Sequence, residues 1–346
     1  MSIRTSFMES LLLLAVALAV LWFFASGGAA KAATMWPPDK FVKLDGDFDG
    51  ARLHYVDRGE AKPGVSTVVL VHGASGNLRD MEMSLVEPLS RETRVIAFDR
   101  PGHGWSDRTE HPAIADPAIQ AKAIRNALKN LGIEKPVLLG HSWGGSVVTA
   151  YALQWPDEVA GLLPLSGALY PWSGGVAWYH SVVRMPVIGW FFTNFLVAPG
   201  GKFLLEKGVE GNFHPDKPPA NYAEKTALPM LFRPKEFRAN SEDTAQLKGY
   251  LERRSSRYGE IAVPTIVITG NADYTVSPKI HSYALHNAVE GSELIKLKGT
   301  GHMPHYAHTD VVVDALVRLA RGEAPRAGET VIHADGRVEM PSAAAE

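Results

Sequence analysis

Ser142 stands in the run Gly140-His141-Ser142-Trp143-Gly144-Gly145, directly after the apolar stretch Pro136-Val137-Leu138-Leu139. The pattern G-x-S-x-G places a serine hydroxyl at the tip of a tight strand-to-helix turn. A Cβ at position 140 or 144 would crowd the neighbouring backbone, because the serine itself takes a strained conformation. The stretch that follows, from Ser146 to Ala152, reads as an apolar helix. Its opening amides point toward the serine, where they can stabilise an anion. A serine hydroxyl is a poor nucleophile alone. It needs a base to take its proton, an acid to orient that base, and donors for the developing oxyanion.

Each of these partners has a candidate in chain order. Pro264-Thr265-Ile266-Val267-Ile268-Thr269 reads as a buried strand running into Gly270-Asn271-Ala272-Asp273, which makes Asp273 the candidate acid. The preceding strand region, Gly161 to Gly167, carries no carboxylate that could compete. Ser292 to Leu297 reads as the next strand and leads to Gly299-Thr300-Gly301-His302, so His302 is the candidate base. After the strand Thr67 to Val71 comes His72-Gly73-Ala74-Ser75-Gly76; the amides of Ala74 and Trp143 are the two candidate oxyanion donors. His72 is expected to hold the oxyanion loop by hydrogen bonding and His141 to pack beneath the elbow. His305 and His308 are read as surface or structural histidines. His72, His302 and His305 lack a carboxylate-bearing frame for a metal, so neither metal nor organic cofactor is expected.

Taken together, His72 to Gly76, Asp99-Arg100-Pro101-Gly102-His103-Gly104-Trp105-Ser106, the serine elbow, Gly270 to Val276 and Gly301-His302 resemble the α/β-hydrolases. The resemblance is to the capped branch containing serine esterases, C–C bond hydrolases and cofactor-free haloperoxidase-like enzymes, and it spans positions from about 42 to 320. It implies an α/β-hydrolase fold, a mostly parallel eight-stranded sheet flanked by helices, with an inserted helical cap. It also implies a structural function for the Asp99 to Ser106 segment, where Asp99 with Arg100 reads as a local ion pair or cap and His103 as a solvated loop histidine. Epoxide hydrolases and haloalkane dehalogenases carry an aspartate where this chain has Ser142. Acyl transfer to water is therefore the expected chemistry: hydrolysis of a carboxylic ester or related carbonyl compound through an acyl-enzyme on Ser142. C–C bond hydrolysis of a diketone and a non-catalytic ligand-binding protein are the alternatives, and retention of every triad member argues against the second.

The elements that must position these residues follow from periodicity. Strands are expected near 67–71, 94–98, 136–140, 161–165, 264–269 and 292–297, preceded by two opening strands within Phe41 to Val56 around the turn-rich Asp45 to Gly50. Helices intervene, such as Pro117 to Leu131, where Ile119, Ala123, Ala127 and Leu131 recur every four residues. Alternating strands and helices imply a parallel sheet covered on both faces, with ligands at the carboxyl ends of the strands. Between Ser166 and Ile261 the alternation stops. This insertion is rich in aromatic residues (Trp172, Trp178, Tyr179, Trp190, Phe191, Phe192, Phe195), which predict an apolar pocket enclosed between cap and core.

The 346 residues are 46% hydrophobic, enough for a large core plus a cap, and the formal charge of −2 gives no electrostatic reason to expect nucleic acid. With no cysteine there are no disulfides and no thiolate metal site. After Arg4 the chain runs uncharged from Ser10 to Ala30, about the 20 residues that span a bilayer. It reads as a membrane anchor, or as a signal peptide cleaved near Ala30-Lys31-Ala32, leaving the enzyme membrane-anchored or exported to the periplasm or extracellular space. The expected organisation is thus an N-terminal segment (1–33), a first core part (34–165), the helical cap (166–260), a second core part (261–322) and a C-terminal tail (323–346). The tail contains a possible hairpin around Asp335-Gly336. The expected partners are a small apolar or aromatic substrate and, through the N-terminal segment, a membrane.

Overall fold

The structure, a computed structural model, describes residues 12, 15, 16, 19, 34, 37–333 and 336–339, with backbone alone at 198, 199, 202 and 203. The strands are β1 (Lys40–Lys43), β2 (Arg52–Arg58), β3 (Val68–Val71), β4 (Val95–Phe98), β5 (Val137–His141), β6 (Gly161–Leu165), β7 (Ile266–Gly270), β8 (Glu293–Leu297), β9 (Gly328–Ile332) and β10 (Val338–Glu339). They form a single sheet in the order β1-β2-β4-β3-β5-β6-β7-β8-β9-β10. From β4 to β9 every pairing is parallel; β1–β2, β2–β4 and β9–β10 are antiparallel.

The central strands are apolar throughout because both faces are covered. Alternation then divides each strand between two layers. Val68 and Leu70 face one layer with Leu78, Met81 and Leu316, while Val69 and Val71 face the other with Ile124, Val147 and Leu285. The helices that supply these layers are α1 (Leu78–Met81), which continues through a π-helical turn into α2 (Glu87–Ser90), α3 (Pro117–Asn130) and α4 (Trp143–Gln154). Asp116 caps α3 by accepting from the Ala118 N–H at 2.8 Å.

Between β6 and β7 the chain builds α5 (Tyr179–Val183), α6 (Pro186–Phe191), α7 (Val197–Phe213), α8 (Tyr222–Lys225) and α9 (Pro234–Arg254). The core closes with α10 (Ser282–Ala288), α11 (Pro304–Ala307) and α12 (Thr309–Ala320). The long α9 is tethered to the core by a buried ion pair. Arg100 Nη1 donates to Asp243 Oδ2 at 2.7 Å, Gln120 Nε2 donates to the same oxygen at 2.9 Å, and Arg108 Nη1 reaches Oδ1 at 2.9 Å. This corrects the local pairing of Asp99 with Arg100. Asp99 instead accepts from the Leu78 and Trp105 amides and from His54, joining the start of α1 to the loop after β4.

Among the described residues the sheet has ten strands rather than eight. Part of the tail, including Val331 and Ile332, completes the exposed edge of β8 as β9, and β10 turns back on it through His333 and Gly336. The unpaired edge and a β-prone segment explain each other. Asp335, at the hairpin expected there, lies outside the described residues, as does the end of the tail. The uncharged run from Ser10 to Ala30 lies almost wholly outside them too, together with the anchor and signal readings placed on it. Among the described residues no helix is long and apolar enough to cross a membrane.

Candidate active site

Ser142 follows β5 directly and precedes α4, with φ 52° and ψ −118°. A non-glycine residue in this region is strained and persists only where its surroundings over-determine it. Its backbone is fixed on both sides: the amide donates to Leu165 O at 3.0 Å, and the carbonyl accepts from Gly145 and Ala168 at 2.9 and 3.0 Å. The flanking glycines are required by close approach. A Cβ at Gly140 would lie 2.2 Å from Gly144 O, and one at Gly144 would lie 2.4 Å from Val71 O.

Asp273 lies in the loop after β7 and His302 in the loop after β8. His302 Nδ1 and Asp273 Oδ2 are 2.7 Å apart, and both side chains are buried. The other aspartate oxygen, Oδ1, accepts from the Thr275 and Val276 amides, each at 2.8 Å. The carboxylate is therefore held by three donors and can face the imidazole in one orientation only. Ser142 and His302 line the same cavity. Among the described residues the Ser142 hydroxyl forms no hydrogen bond; contacts of this kind commonly close only when substrate seats.

Ala74 and Trp143 flank the serine as expected from their positions. Trp143 opens α4, so its amide is one of the donors left without an intrahelical partner. Ala74 lies on the loop after β3 and lines the cavity beside Ser142. The next residue, Ser75, has φ 56° and is clamped from the cap. Asn240 Oδ1 accepts from the Ser75 amide at 2.6 Å, and Asn240 Nδ2 donates to Ser75 Oγ at 3.1 Å. Nothing in the sequence pattern singles out Asn240, which sits 165 positions away on α9. Asn240→Ala is expected to lower kcat about tenfold, about 1.4 kcal/mol, with KM little changed. Steady-state kinetics on one ester checks this, and an unchanged kcat counts against the clamp.

The other histidines around the site have ring nitrogens held by neighbouring groups. His72 donates to or accepts from its neighbours on both ring nitrogens, with Nδ1 2.8 Å from Gly73 O and Nε2 accepting from the Arg100 amide at 3.0 Å. Burial, reinforced by the Arg100 charge, pushes its pKa down to about 3. His141 Nε2 contacts His302 O at 2.9 Å, and burial with the neighbouring His305 and His302 drives it well below its ordinary value. His103, expected in solvent, is instead fully buried, and accepts from Arg100 Nη2 at 3.1 Å. Its loop folds inward because Arg100 needs an inward-facing set of acceptors. His308 is half-buried against Thr300 Oγ1 at 2.9 Å.

His305 has the carboxylate neighbour that the sequence did not reveal. Asp80 Oδ2 lies 3.1 Å from His305 Nε2, while Asp80 Oδ1 accepts from Tyr222 at 2.7 Å and Tyr306 at 3.0 Å. Burial opposes ionisation of Asp80, but His305, His141 and Tyr222 outweigh it and hold the carboxyl well below the usual range. Asp80, His141 and His305 put potential ligand atoms within 4.8 Å of one another, the one such group among the described residues. Both Asp80 oxygens already have donors, so the cluster ties α1, α8 and α11 together beneath His302.

Above Ser142 opens a cavity of about 500 Å³. Cap and core enclose it mainly with apolar side chains, among them Trp178, Phe192, Leu205, Val209, Phe213 and Met303. Of the cap aromatics, Trp178, Tyr179 and Phe192 line it, whereas Trp190 and Phe191 face outward and Trp172 rests against the core. Gly200 and Gly208 of α7 leave the wall bare, since an added Cβ at either would meet nothing within 4 Å, whereas Gly201 makes room for the Phe232 ring. No arginine or lysine is found among the described residues of the lining.

The sequence profile of the alpha/beta hydrolase family matches residues 68–315. The chain belongs to that family. Among curated relatives, the hydrolase is similar to 2-hydroxy-6-oxononadienedioate/2-hydroxy-6-oxononatrienedioate hydrolase 1 of Pseudomonas putida, 28% identical over 81% of this chain and 95% of that protein. It is similar to its counterpart from Klebsiella pneumoniae at 26% identity over 78% of this chain and 91% of the relative. Among solved structures, a membrane phospholipase A described as a bacterial virulence factor superposes with a TM-score of 0.63 at 21% identity, over 92% of this hydrolase and 98% of that chain. The enol-lactonase of Burkholderia xenovorans gives 0.59 at 20% identity, covering 81% and 99%. These superpositions establish the shared fold.

Proposed function

We propose that the hydrolase cleaves a carboxylic ester carrying a long apolar acyl group, through an acyl-enzyme on Ser142. The cavity carries this reading: it holds about 500 Å³, is lined mainly by apolar side chains and contains no arginine or lysine among its described residues. Ser142 Oγ attacks the carbonyl carbon while His302 Nε2 takes its proton, and Asp273 holds the imidazole with Nδ1 protonated. The carbonyl electrons move onto oxygen, where the Ala74 and Trp143 amides receive the charge. Collapse expels the alcohol with the proton from His302. Water, deprotonated by the same base, then releases the acid and restores the serine.

The curated relatives favour a second reading, C–C bond hydrolysis of a diketone by the same triad. Their named substrates are dioates, and two carboxylates would need cationic partners in the cavity, where Asp80 supplies the opposite charge. Ester hydrolysis therefore fits the lining better. A fluorophosphonate probe should label the protein with the adduct on Ser142 by mass spectrometry, and p-nitrophenyl esters should turn over. Absence of an adduct on Ser142 sinks both readings, while labelling without ester turnover favours the second.

Gly208→Leu supplies a sharper test of the acyl pocket, since each methylene burial is worth about 0.8 kcal/mol. The variant should lose about tenfold in kcat/KM for dodecanoyl relative to butanoyl ester, where two blocked methylenes already suffice. Equal losses for both esters contradict an acyl chain lying along α7. The uncharged run from Ser10 to Ala30 supports membrane attachment of the hydrolase, or export if it is cleaved. Alkaline carbonate extraction of cell membranes, with N-terminal sequencing of the recovered protein, separates the two.

A further inference from the structure

The outer surface of the cap carries large apolar side chains that the catalytic site does not use. From Met185 to Gly201 the chain has no charged residue, and Arg184 and Lys202 bracket the run. On it Val187 is 78% exposed, Ile188 60% and Trp190 57%, with Phe191 stacked on Phe195 beside them. An exposed run of aromatic and branched apolar side chains, flanked in sequence by cations, is the composition of a surface that enters the lipid headgroup boundary. Its position makes it more than a surface feature. Trp178, which packs edge-on against Phe192, and Leu204 are each about two-thirds exposed and also line the cavity, so the cavity reaches the surface beside this run.

Two further observations select a bilayer as the occupant. The chain carries a bilayer-length uncharged run shortly before the catalytic domain. It joins that domain at Pro37, whose carbonyl accepts from Arg79 Nη2 at 2.9 Å, on α1, the helix that also carries the cavity residue Asp80. We propose that α6, the turn after it and the start of α7 rest in the membrane surface, so that an apolar ester passes from lipid into the cavity between Trp178 and Leu204. This goes beyond the ester-hydrolase reading and concerns where its substrate is drawn from.

Because the chain has no cysteine, a single one can be labelled cleanly. Full-length Ile188→Cys and, as a control at the opposite end of the sheet, Glu134→Cys are labelled with a nitrobenzoxadiazole dye and reconstituted in phosphatidylcholine vesicles. The dye at 188 should shift its emission to the blue and lose most of it to doxyl-phosphatidylcholine, while the dye at 134 does neither. Equal, water-like emission at both positions overturns the proposal. A blue shift at 188 that resists doxyl quenching and fades as lipid dilutes the protein also overturns it, in favour of a second copy covering the patch. The combined variant Val187→Ser, Ile188→Ser, Trp190→Ser should keep turnover of a soluble short ester but lose turnover of an ester embedded in vesicles. The dye measurement needs no substrate, so it stands or falls separately from the ester assignment.

Discussion

Asp273→Asn is expected to lower kcat about ten-thousandfold while the protein stays folded. The reason lies in the three hydrogen bonds on this carboxylate. Oδ1 accepts from the Thr275 and Val276 amides, and only an oxygen can do so. An asparagine must therefore keep its oxygen there and turn its NH₂ toward His302 Nδ1. That nitrogen becomes an acceptor, the proton moves to Nε2, and the base facing Ser142 can no longer accept a proton. The loop geometry survives, so thermal unfolding should change little. Single-turnover kinetics with a p-nitrophenyl ester and a melting curve make the check. A kcat within tenfold of wild type removes Asp273 from the mechanism.

Acid should begin to destabilise this protein before it protonates most carboxylates. His72, His103 and His141 are buried, and burial is the leading cause that lowers all three below their ordinary value of 6.5, His72 to about 3. The sign is definite. Below pH 6.5 the unfolded chain binds protons at these rings and the folded chain does not, so stability is lost as pH falls. At pH 4.5, two units below the unfolded value of 6.5, His72 with its folded value of about 3 still stays neutral, a difference worth about 2.7 kcal/mol. His103 and His141 are shifted in the same direction, so the loss takes a sizeable part of the about 5–15 kcal/mol that holds an ordinary domain folded. Asp80 and Asp99, whose carboxyls are held low, add to the loss at still lower pH. Glu236 acts in the opposite sense: burial raises it to about 7, so its contribution is present at low pH and fades as pH rises through 7. The melting temperature is expected to drop by roughly 5 °C between pH 7 and pH 4.5, Glu236 offsetting part of the loss from the histidines. A flat profile by circular dichroism over that range would show that these histidines ionise in the folded state.

Much of this arrangement was legible because its signals are local. The elbow needs only two glycines and an apolar strand before it, and the strands that carry Asp273 and His302 announce themselves as short β-branched runs. What failed were inferences from neighbouring charges. Asp99 and Arg100 are adjacent and opposite in sign, yet Arg100 pairs with Asp243, 143 positions away. His103 reads as a solvated loop histidine, yet its loop folds inward around that same arginine. Asp80 and Asn240 belong to no motif, since each acts through one long-range contact that only the folded chain brings about. The tail's hairpin was legible at Asp335-Gly336, but its joining the sheet beside β8 was not, because an edge strand is defined by the neighbour it finds.

The Arg100–Asp243 pair divides the cap into parts with separate futures. Removing either partner strands a buried charge, so α9 and its hold on Ser75 are constrained together with the elbow. The bare wall of α7 and the outward residues of α6 carry no such obligation. Substitutions there can widen, shorten or re-floor the pocket while the triad keeps its geometry. One lineage could thus move between acyl groups by small steps without passing through an inactive ancestor.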